Sequence, residues 1–265
     1  FLDYVPMEEL LALLPTLDSV EAIFHQGACS DTTESDGRYM MHNNYQFSKQ
    51  LLHFAEQRGV KLIYASTAAV YGDGEQGFSE QPACEYPLNV YGFSKLAFDN
   101  YVRARLPQSA IQIVGLRYFN VYGPQERHKG RMASVAMHLF DQLAAGQRMR
   151  LFEGSAGFLR DFVHVDDVVA VNLYFLQAKQ SGIFNCGSGS AQSFDAVART
   201  LRDLHGSGEI EPIPFPADLA GKYQRFTQAD LTRLRAAGCT HSFSSLEAGL
   251  ADYYRALRHS GGYRR

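Results

Sequence analysis

Lys61-Leu-Ile-Tyr-Ala-Ser-Thr-Ala-Ala-Val-Tyr-Gly72 begins as a short apolar run and passes without a break into small and hydroxyl-bearing residues. Residues 61–65 read as a buried strand. Amphipathic runs of helical length stand on both sides. Met40 to Arg58 reads as a helix that ends before Gly59, and Asn89 to Arg105 as a helix stopped before Pro107. Further out, Val20 to Phe24 and Ile111 to Leu116 read as strands. Strand, helix, strand, helix, strand is the pattern of βαβ units, so the chain is expected to be α/β with a Rossmann-like, doubly wound parallel sheet. Ligands of such sheets bind outside the carboxyl ends of the strands. The stretches after Phe24, Ala65 and Leu116 are therefore the ones to inspect.

After Tyr118 the regularity loosens. Helices are expected at 134–145, 193–205, near 230–237 and at 245–257, with a strand at 182–185. The loops between carry Gly, Pro and Arg. No repeat or low-complexity tract appears.

The totals narrow the class. The 265 residues suffice for one domain or two closely joined ones, and 46% hydrophobic residues is ordinary for a globular protein. A formal charge of −3 without a basic block argues against a nucleic-acid surface. No apolar run approaches the roughly 18–20 residues that span a membrane, and no signal peptide opens the chain, so a cytoplasmic enzyme is expected. Cys29, Cys84, Cys186 and Cys239 are scattered, with no CxxC, and read as ordinary thiols in a reducing compartment. No metal site is expected.

Two segments share the form Tyr-x-Phe-Ser-Lys: Tyr45 to Lys49 and Tyr91 to Lys95. On a helix, positions i and i+4 share a face, and a nearby ammonium lowers a phenol's pKa toward the range useful for proton transfer. The spacing alone proves little, so context decides. Ser66 and Thr67 bring two hydroxyls to the ligand edge, and the helix of Tyr91 and Lys95 follows directly. Tyr45 has no such setting and reads as a helix-surface or packing pair with Lys49.

Residues 64–72, 91–95 and Arg117-Tyr-Phe-Asn-Val-Tyr-Gly-Pro124 together resemble the extended short-chain dehydrogenase/reductase superfamily, which modifies nucleotide sugars with a bound nicotinamide cofactor. Within it, Gln26-Gly-Ala-Cys-Ser30, Met40-Met-His-Asn-Asn-Tyr45, Gly123-Pro-Gln-Glu-Arg-His-Lys-Gly130 and Phe226-Thr-Gln-Ala-Asp230 resemble the ADP-L-glycero-D-manno-heptose 6-epimerase family, which serves lipopolysaccharide inner-core synthesis. That resemblance implies NADP as cofactor, an ADP-heptose substrate and a homo-oligomer, a pentamer in the family. It also implies inversion at C6 by oxidation to a transient aldehyde, rotation and re-reduction. A direct proton abstraction at an unactivated carbinol carbon has no acidic C–H to work on.

Residue roles follow from the same resemblance. Tyr91 matches the first acid/base group, Lys95 the lysine on the cofactor ribose, Thr67 a hydroxyl for the reacting oxygen, and Lys129 the second acid/base group. Taken without the family, a solvated loop cation is the alternative reading of Lys129. Gln26, Gly27, Ala28, Cys29, Ser30, Asn43 and Val121 match cofactor contacts, together with Lys95 and Lys129. Asn120, Arg131, His138, Phe152, Glu153, Gly154, Ser155, Arg160 and Tyr223 match contacts to the ADP-sugar. Arg131 departs from the smaller polar residue usual there, and Arg160 can alternatively pair with Asp161.

No Gly-x-x-Gly-x-x-Gly follows an opening strand. The chain is thus read as starting inside the family's Rossmann half, without its first βαβ. The expected division is a dinucleotide-binding domain at 1–118, 164–190 and 224–246, and a smaller α/β substrate domain at 119–163, 191–223 and 247–265. Two alternatives stay open: another nucleotide-sugar 4-epimerase or 4,6-dehydratase, and a non-catalytic dinucleotide-binding or assembly module. Ala68 and Ala69 stand where dehydratases place acidic residues, which counts against that reaction.

Overall fold

The computed structural model describes residues 4–17, 19–216 and 224–264. Its centre is a parallel four-stranded sheet in the order β1 (Ala22–His25), β2 (Lys61–Thr67), β3 (Ile113–Tyr118), β7 (Gly182–Cys186). Alternation along the strands sends Leu62 and Tyr64 to one face and Ile63 to the other. On the first face they pack with Leu52 and Ala55 of α3 (Phe47–Arg58) and with Phe98 and Val102 of α4 (Val90–Arg105). On the second, Ile63, Val114 and Leu116 meet Val168, Val171 and Phe175 of α6 (Val165–Gln177). Helices on both faces make the sheet doubly wound, as the sequence predicts.

The helix expected from Met40 to Arg58 begins earlier and changes pitch on the way. Asp36 caps α2 (Gly37–Met40) by accepting the N–H groups of Arg38 and Tyr39, a π-turn covers Met41–Gln46, and α3 ends at Gly59 with φ +70°. A further helix, α1 (Met7–Leu13), precedes β1.

Beyond β3, the structure is more regular than its sequence suggests. β4 (Asn120–Tyr122) pairs in parallel with β6 (Leu159–His164), which takes β8 (Ala191–Ser193) on its other side, antiparallel. β5 (Met149–Phe152) pairs with β9 (Ile210–Ile213). Around them α5 (Val135–Ala144), α7 (Phe194–His205) and α9 (Leu246–Ser260) enclose a separate apolar cluster that includes Tyr122, Phe140, Phe162, Leu201 and Tyr253. The short α8 (Thr232–Ala236) packs beside β7. No helix of the described residues is long and apolar enough to cross a membrane.

Candidate active site

The carboxyl ends of β1, β2 and β3 open on a cavity of about 800 Å3. Gln26, Gly27, Ala28, Cys29, Ser30, Thr67, Tyr91, Lys95, Val121 and Lys129 all stand on its wall. Five segments far apart in sequence thus converge as expected.

Each is held by a local device. Thr67 is the last residue of β2 and caps the turn Ala68–Tyr71, its hydroxyl oxygen accepting the Ala69 N–H at 3.1 Å. Asn89 caps α4 by accepting the Gly92 N–H at 2.7 Å. Gly92 then packs against the Ala68–Tyr71 turn, where a Cβ would stand 2.8 Å from the Ala69 carbonyl oxygen. That close approach sets Tyr91 beside Thr67, whose hydrogen bond lowers the tyrosine pKa while burial raises it more strongly. One turn on, Lys95 donates to the Ala65 carbonyl at 2.9 Å. Its pKa is pushed down to about 8 by burial, with Asp99 pulling the other way. The lysine was expected to lower the tyrosine's pKa; in the structure the net shift is upward, because desolvation dominates and the ammonium is engaged by a backbone carbonyl.

Asn44 fixes the loop after β1. Its buried side chain accepts the Cys29 N–H at 2.9 Å and donates to the Cys29 carbonyl at 3.0 Å, so the amide pairs with the loop as a strand would. It also donates to Ser94 Oγ at 3.0 Å, which ties the loop to α4. Asn43, the asparagine matched to a cofactor contact, donates to the Tyr39 carbonyl at 2.9 Å, and neither asparagine is itself on the cavity wall. The π-turn decides which of the two asparagines faces inward. A second group missed in the sequence is Asp99, one turn beyond Lys95 on the same face of α4. It accepts from Tyr64 and Ser66 hydroxyls and from Arg117 Nε, each at 2.9 Å, and Arg117 in turn reaches Glu85 at 2.6 Å. The i, i+4 spacing after Lys95 was the signal that could have found it.

A second cavity, of about 320 Å3, adjoins the first; Phe119, Val121, Lys129 and Met132 belong to both walls. Asn120, Glu126, Ser134, Phe162 and Phe194 complete it with other apolar groups. Lys129 sits on the loop between β4 and α5, where Gln125 is the non-glycine residue with positive φ (+76°) among the described residues. The loop is strapped from behind: Gln125 N–H donates to the Gly262 carbonyl at 2.8 Å, and Arg127 Nε to the Gly261 carbonyl at 2.6 Å.

The other expected substrate residues that are described lie outside these two walls. Arg131 pairs with Asp31, itself on the larger cavity, and donates to Thr33 Oγ1 at 3.1 Å. His138 Nε2 faces the Arg131 carbonyl at 3.3 Å. Phe152 packs edge-on to Phe215, Glu153 N–H donates to the Ile213 carbonyl at 2.8 Å, and Gly154 with φ +81° leads into the turn that starts at Ser155. Arg160 donates to Leu159 and Gln224 carbonyls and lies over the Phe194 ring. It does not pair with Asp161, whose carboxylate takes the N–H groups of Ser188, Gly189 and Ala229. Tyr223 lies outside the described residues. Tyr45 and Lys49 form a packing pair, the ammonium standing 5.1 Å from the Tyr45 ring centre and 4.8 Å from that of Tyr101.

Comparison with known proteins agrees with this geometry. The family model described as "NAD dependent epimerase/dehydratase family" matches residues 3–187. The ADP-L-glycero-D-manno-heptose-6-epimerase of Brachyspira hyodysenteriae is 54% identical over 270 aligned residues, covering 99% of this chain and 85% of that protein. Among solved structures, the Helicobacter pylori enzyme of the same name is 34% identical with a TM-score of 0.83, over 94% of this chain and 76% of that one. The Thermus thermophilus UDP-glucose 4-epimerase, solved with NAD, is 25% identical with a TM-score of 0.81, over 96% and 83% of the two chains. With a doubly wound sheet whose strand ends gather a Thr, a Tyr and a Lys around one cavity, the chain belongs to the NAD dependent epimerase/dehydratase family.

Proposed function

We propose that this protein epimerises ADP-D-glycero-D-manno-heptose at C6, giving ADP-L-glycero-D-manno-heptose, with NADP as cofactor. The observation that carries the reading is the position of Lys129, on the wall of the cavity that holds Tyr91 and also on that of its smaller neighbour. An enzyme that reaches the same oxygen in two orientations is served by two proton-transfer groups. The 54% identity to a protein named for this reaction supports the substrate.

The residues suit the nicotinamide end of a dinucleotide. Small side chains run from Gly27 to Ser30, and a Cβ added at Gly27 would meet nothing within 4 Å. Lys95 offers donors, and Val121, Val165 and Val168 supply an apolar wall. When bound, the cofactor supplies the hydride acceptor and donor. The protein does the rest. Thr67 and Tyr91 hydrogen-bond one orientation of the C6 oxygen, and Tyr91 carries its proton. Lys129 carries the proton for the other orientation. Lys95 holds the ribose hydroxyls. The smaller cavity, lined by Asn120, Phe162 and Phe194, receives the sugar, and Arg160, His138, Arg131 and residues 152–155 extend the contacts toward the ADP. The division into a dinucleotide-binding and a substrate domain is supported by the separate apolar cluster around α5, α7 and α9.

The test is incubation of the purified protein, supplied with NADP, with ADP-D-glycero-D-manno-heptose, following the C6 epimer by NMR. Formation of the L-glycero product is expected. No product from ADP-heptose, with turnover of a UDP-hexose at C4 instead, would replace this reading by that of a 4-epimerase.

A further inference from the structure

Behind Lys129 lies a buried carboxylate that the roles above do not use. Glu126 has a side chain only 3% exposed. Its Oε1 accepts the Ser134 hydroxyl at 2.5 Å and the Tyr253 hydroxyl at 2.8 Å, and its Oε2 accepts the Ser134 N–H at 2.8 Å. Lys129 Nζ stands 3.8 Å from Oε2. The Glu126 carbonyl also accepts the Lys129 N–H at 3.0 Å.

We propose that Glu126 is the positioning residue for Lys129, anchoring the ammonium on the wall shared by the two cavities until a substrate oxygen takes it over. The inference rests on the reading of Lys129 as a proton-transfer group.

The geometry makes the division of labour plain. Three neutral donors from two elements, the start of α5 and the middle of α9, fix the carboxylate from behind. Tyr253 stays a donor, because burial and the Glu126 charge both push its pKa up. Among the described residues, Lys129 is the cation that pairs with this carboxylate within 4 Å. A lysine on a loop next to Gly130, with 39% of its side chain exposed, has wide rotamer freedom unless something confines it. At 3.8 Å the pair is close enough to direct the ammonium and loose enough to release it. A tighter pair would hold the proton donor away from the sugar.

A purely structural Glu126 would tie α5 to α9 and leave Lys129 unaffected, so the experiment must separate the two roles. Turnover is measured in a double-mutant cycle of Glu126→Gln and Lys129→Met with saturating NADP. Glu126→Gln is expected to lower kcat about tenfold or more while KM stays within about threefold. On the Lys129→Met background it is expected to change kcat by less than about twofold, since its effect runs through Lys129. Tyr253→Phe, which loosens the carboxylate without removing it, is the milder variant should Glu126→Gln fold poorly. It is expected to lower kcat by about two- to fivefold, again only when Lys129 is present. A second readout uses the free protein: trace acetylation at fixed pH, mapped by mass spectrometry. Lys129 is expected to react at least about threefold faster in Glu126→Gln, with the other lysines unchanged, because the amine is no longer confined against the carboxylate. An equal loss on both Lys129 backgrounds, or unchanged Lys129 reactivity, overturns the proposal and leaves Glu126 a structural tie. If Lys129→Met itself keeps full kcat, the reading of Lys129 falls, and the proposal falls with it.

Discussion

Gly92 lies so close to Ala69 that a Cβ on the glycine would stand 2.8 Å from the Ala69 carbonyl oxygen and 3.0 Å from the Pro87 Cβ. The first contact is with backbone, which cannot swing aside. Gly92→Ala gains up to about 1 kcal/mol of helix propensity but forces α4 off the turn that follows Thr67. Overpacking costs about 1–3 kcal/mol and so should win. A displacement approaching 1 Å at Tyr91 costs up to about 100-fold in rate. The expected result is a lower melting temperature together with a loss of turnover larger than the loss of folded protein. An alanine variant as stable and as fast as the parent would show that the contact relaxes freely.

Of the two Tyr-x-x-x-Lys copies, only the second reaches the cavity. Tyr91→Phe is expected to cut turnover by about 10²–10⁴-fold. Tyr45→Phe leaves the Tyr101 contact and the Lys49 ammonium in place, so turnover should change by no more than about twofold. Steady-state kinetics on the two purified variants decides, and similar losses in both would refute the assignment.

Lys95 is costly to bury. Its pKa in the fold, about 8, lies below the ordinary 10.5. The unfolded chain therefore holds this proton more tightly, and the charged form weakens the fold at all pH values below 8. The penalty fades as pH rises from 8 to 10.5. Lys95→Met should abolish turnover yet raise stability at pH 7 by up to about 3 kcal/mol, less the value of the Ala65 hydrogen bond. Urea denaturation of both proteins should show this advantage shrinking between pH 8 and 10.5. A gap that stays constant across that window would contradict the argument.

His25 governs the acid side. It is buried at the end of β1 with Nε2 2.7 Å from Ser48 Oγ, and burial lowers its pKa to about 4, with Lys95 adding to the effect. The ordinary value is 6.5. Between these two pH values the unfolded chain carries a proton that the folded chain refuses. Stability from this group is complete above pH 6.5 and declines as pH falls toward 4, by on the order of 3 kcal/mol. His25→Gln keeps a side-chain donor but cannot titrate, so its stability curve should be flatter over that range. Parallel curves for the two proteins would assign the acid sensitivity elsewhere.

Much of this was legible because the first half of the chain writes its structure locally. Gly59 stops a helix, Asn89 starts one, and the runs at 61–65 and 111–116 have the apolar character of buried parallel strands. The second half does so only in part: its helices Val135–Ala144, Phe194–His205 and Leu246–Ser260 and the strand Gly182–Cys186 stand where the sequence puts them, but other elements give no such signal. Residues 165–177 form α6, yet Val165, Val168, Val169 and Val171 are β-branched, and the segment is capped by His164 rather than by a typical capping residue. Tertiary packing against Ile63 and Phe184, not propensity, makes it a helix. The same applies within the site. Tyr91 and Lys95 are picked out by spacing and context, Thr67 by its place after a strand, and Lys129 by its resemblance to a family position. Asn44 is not picked out: a change of helical pitch at Met41–Gln46, invisible in composition, turns it inward to hold the loop after β1. Glu126 reads as one more charge in a charged loop until Ser134 and Tyr253 are brought to it from 8 and 127 residues away.

That last separation has a consequence for the order in which the protein is made. The loop carrying Lys129 is pinned by Tyr253 and by the carbonyls of Gly261 and Gly262, all of which leave the ribosome long after the loop itself. The four described strands of the central sheet have all been made by Cys186 and can assemble while synthesis continues. A nascent chain that has not yet reached α9 therefore has these strands and Tyr91 but lacks the contacts that pin the Lys129 loop, so the anchoring of that loop comes late relative to the sheet.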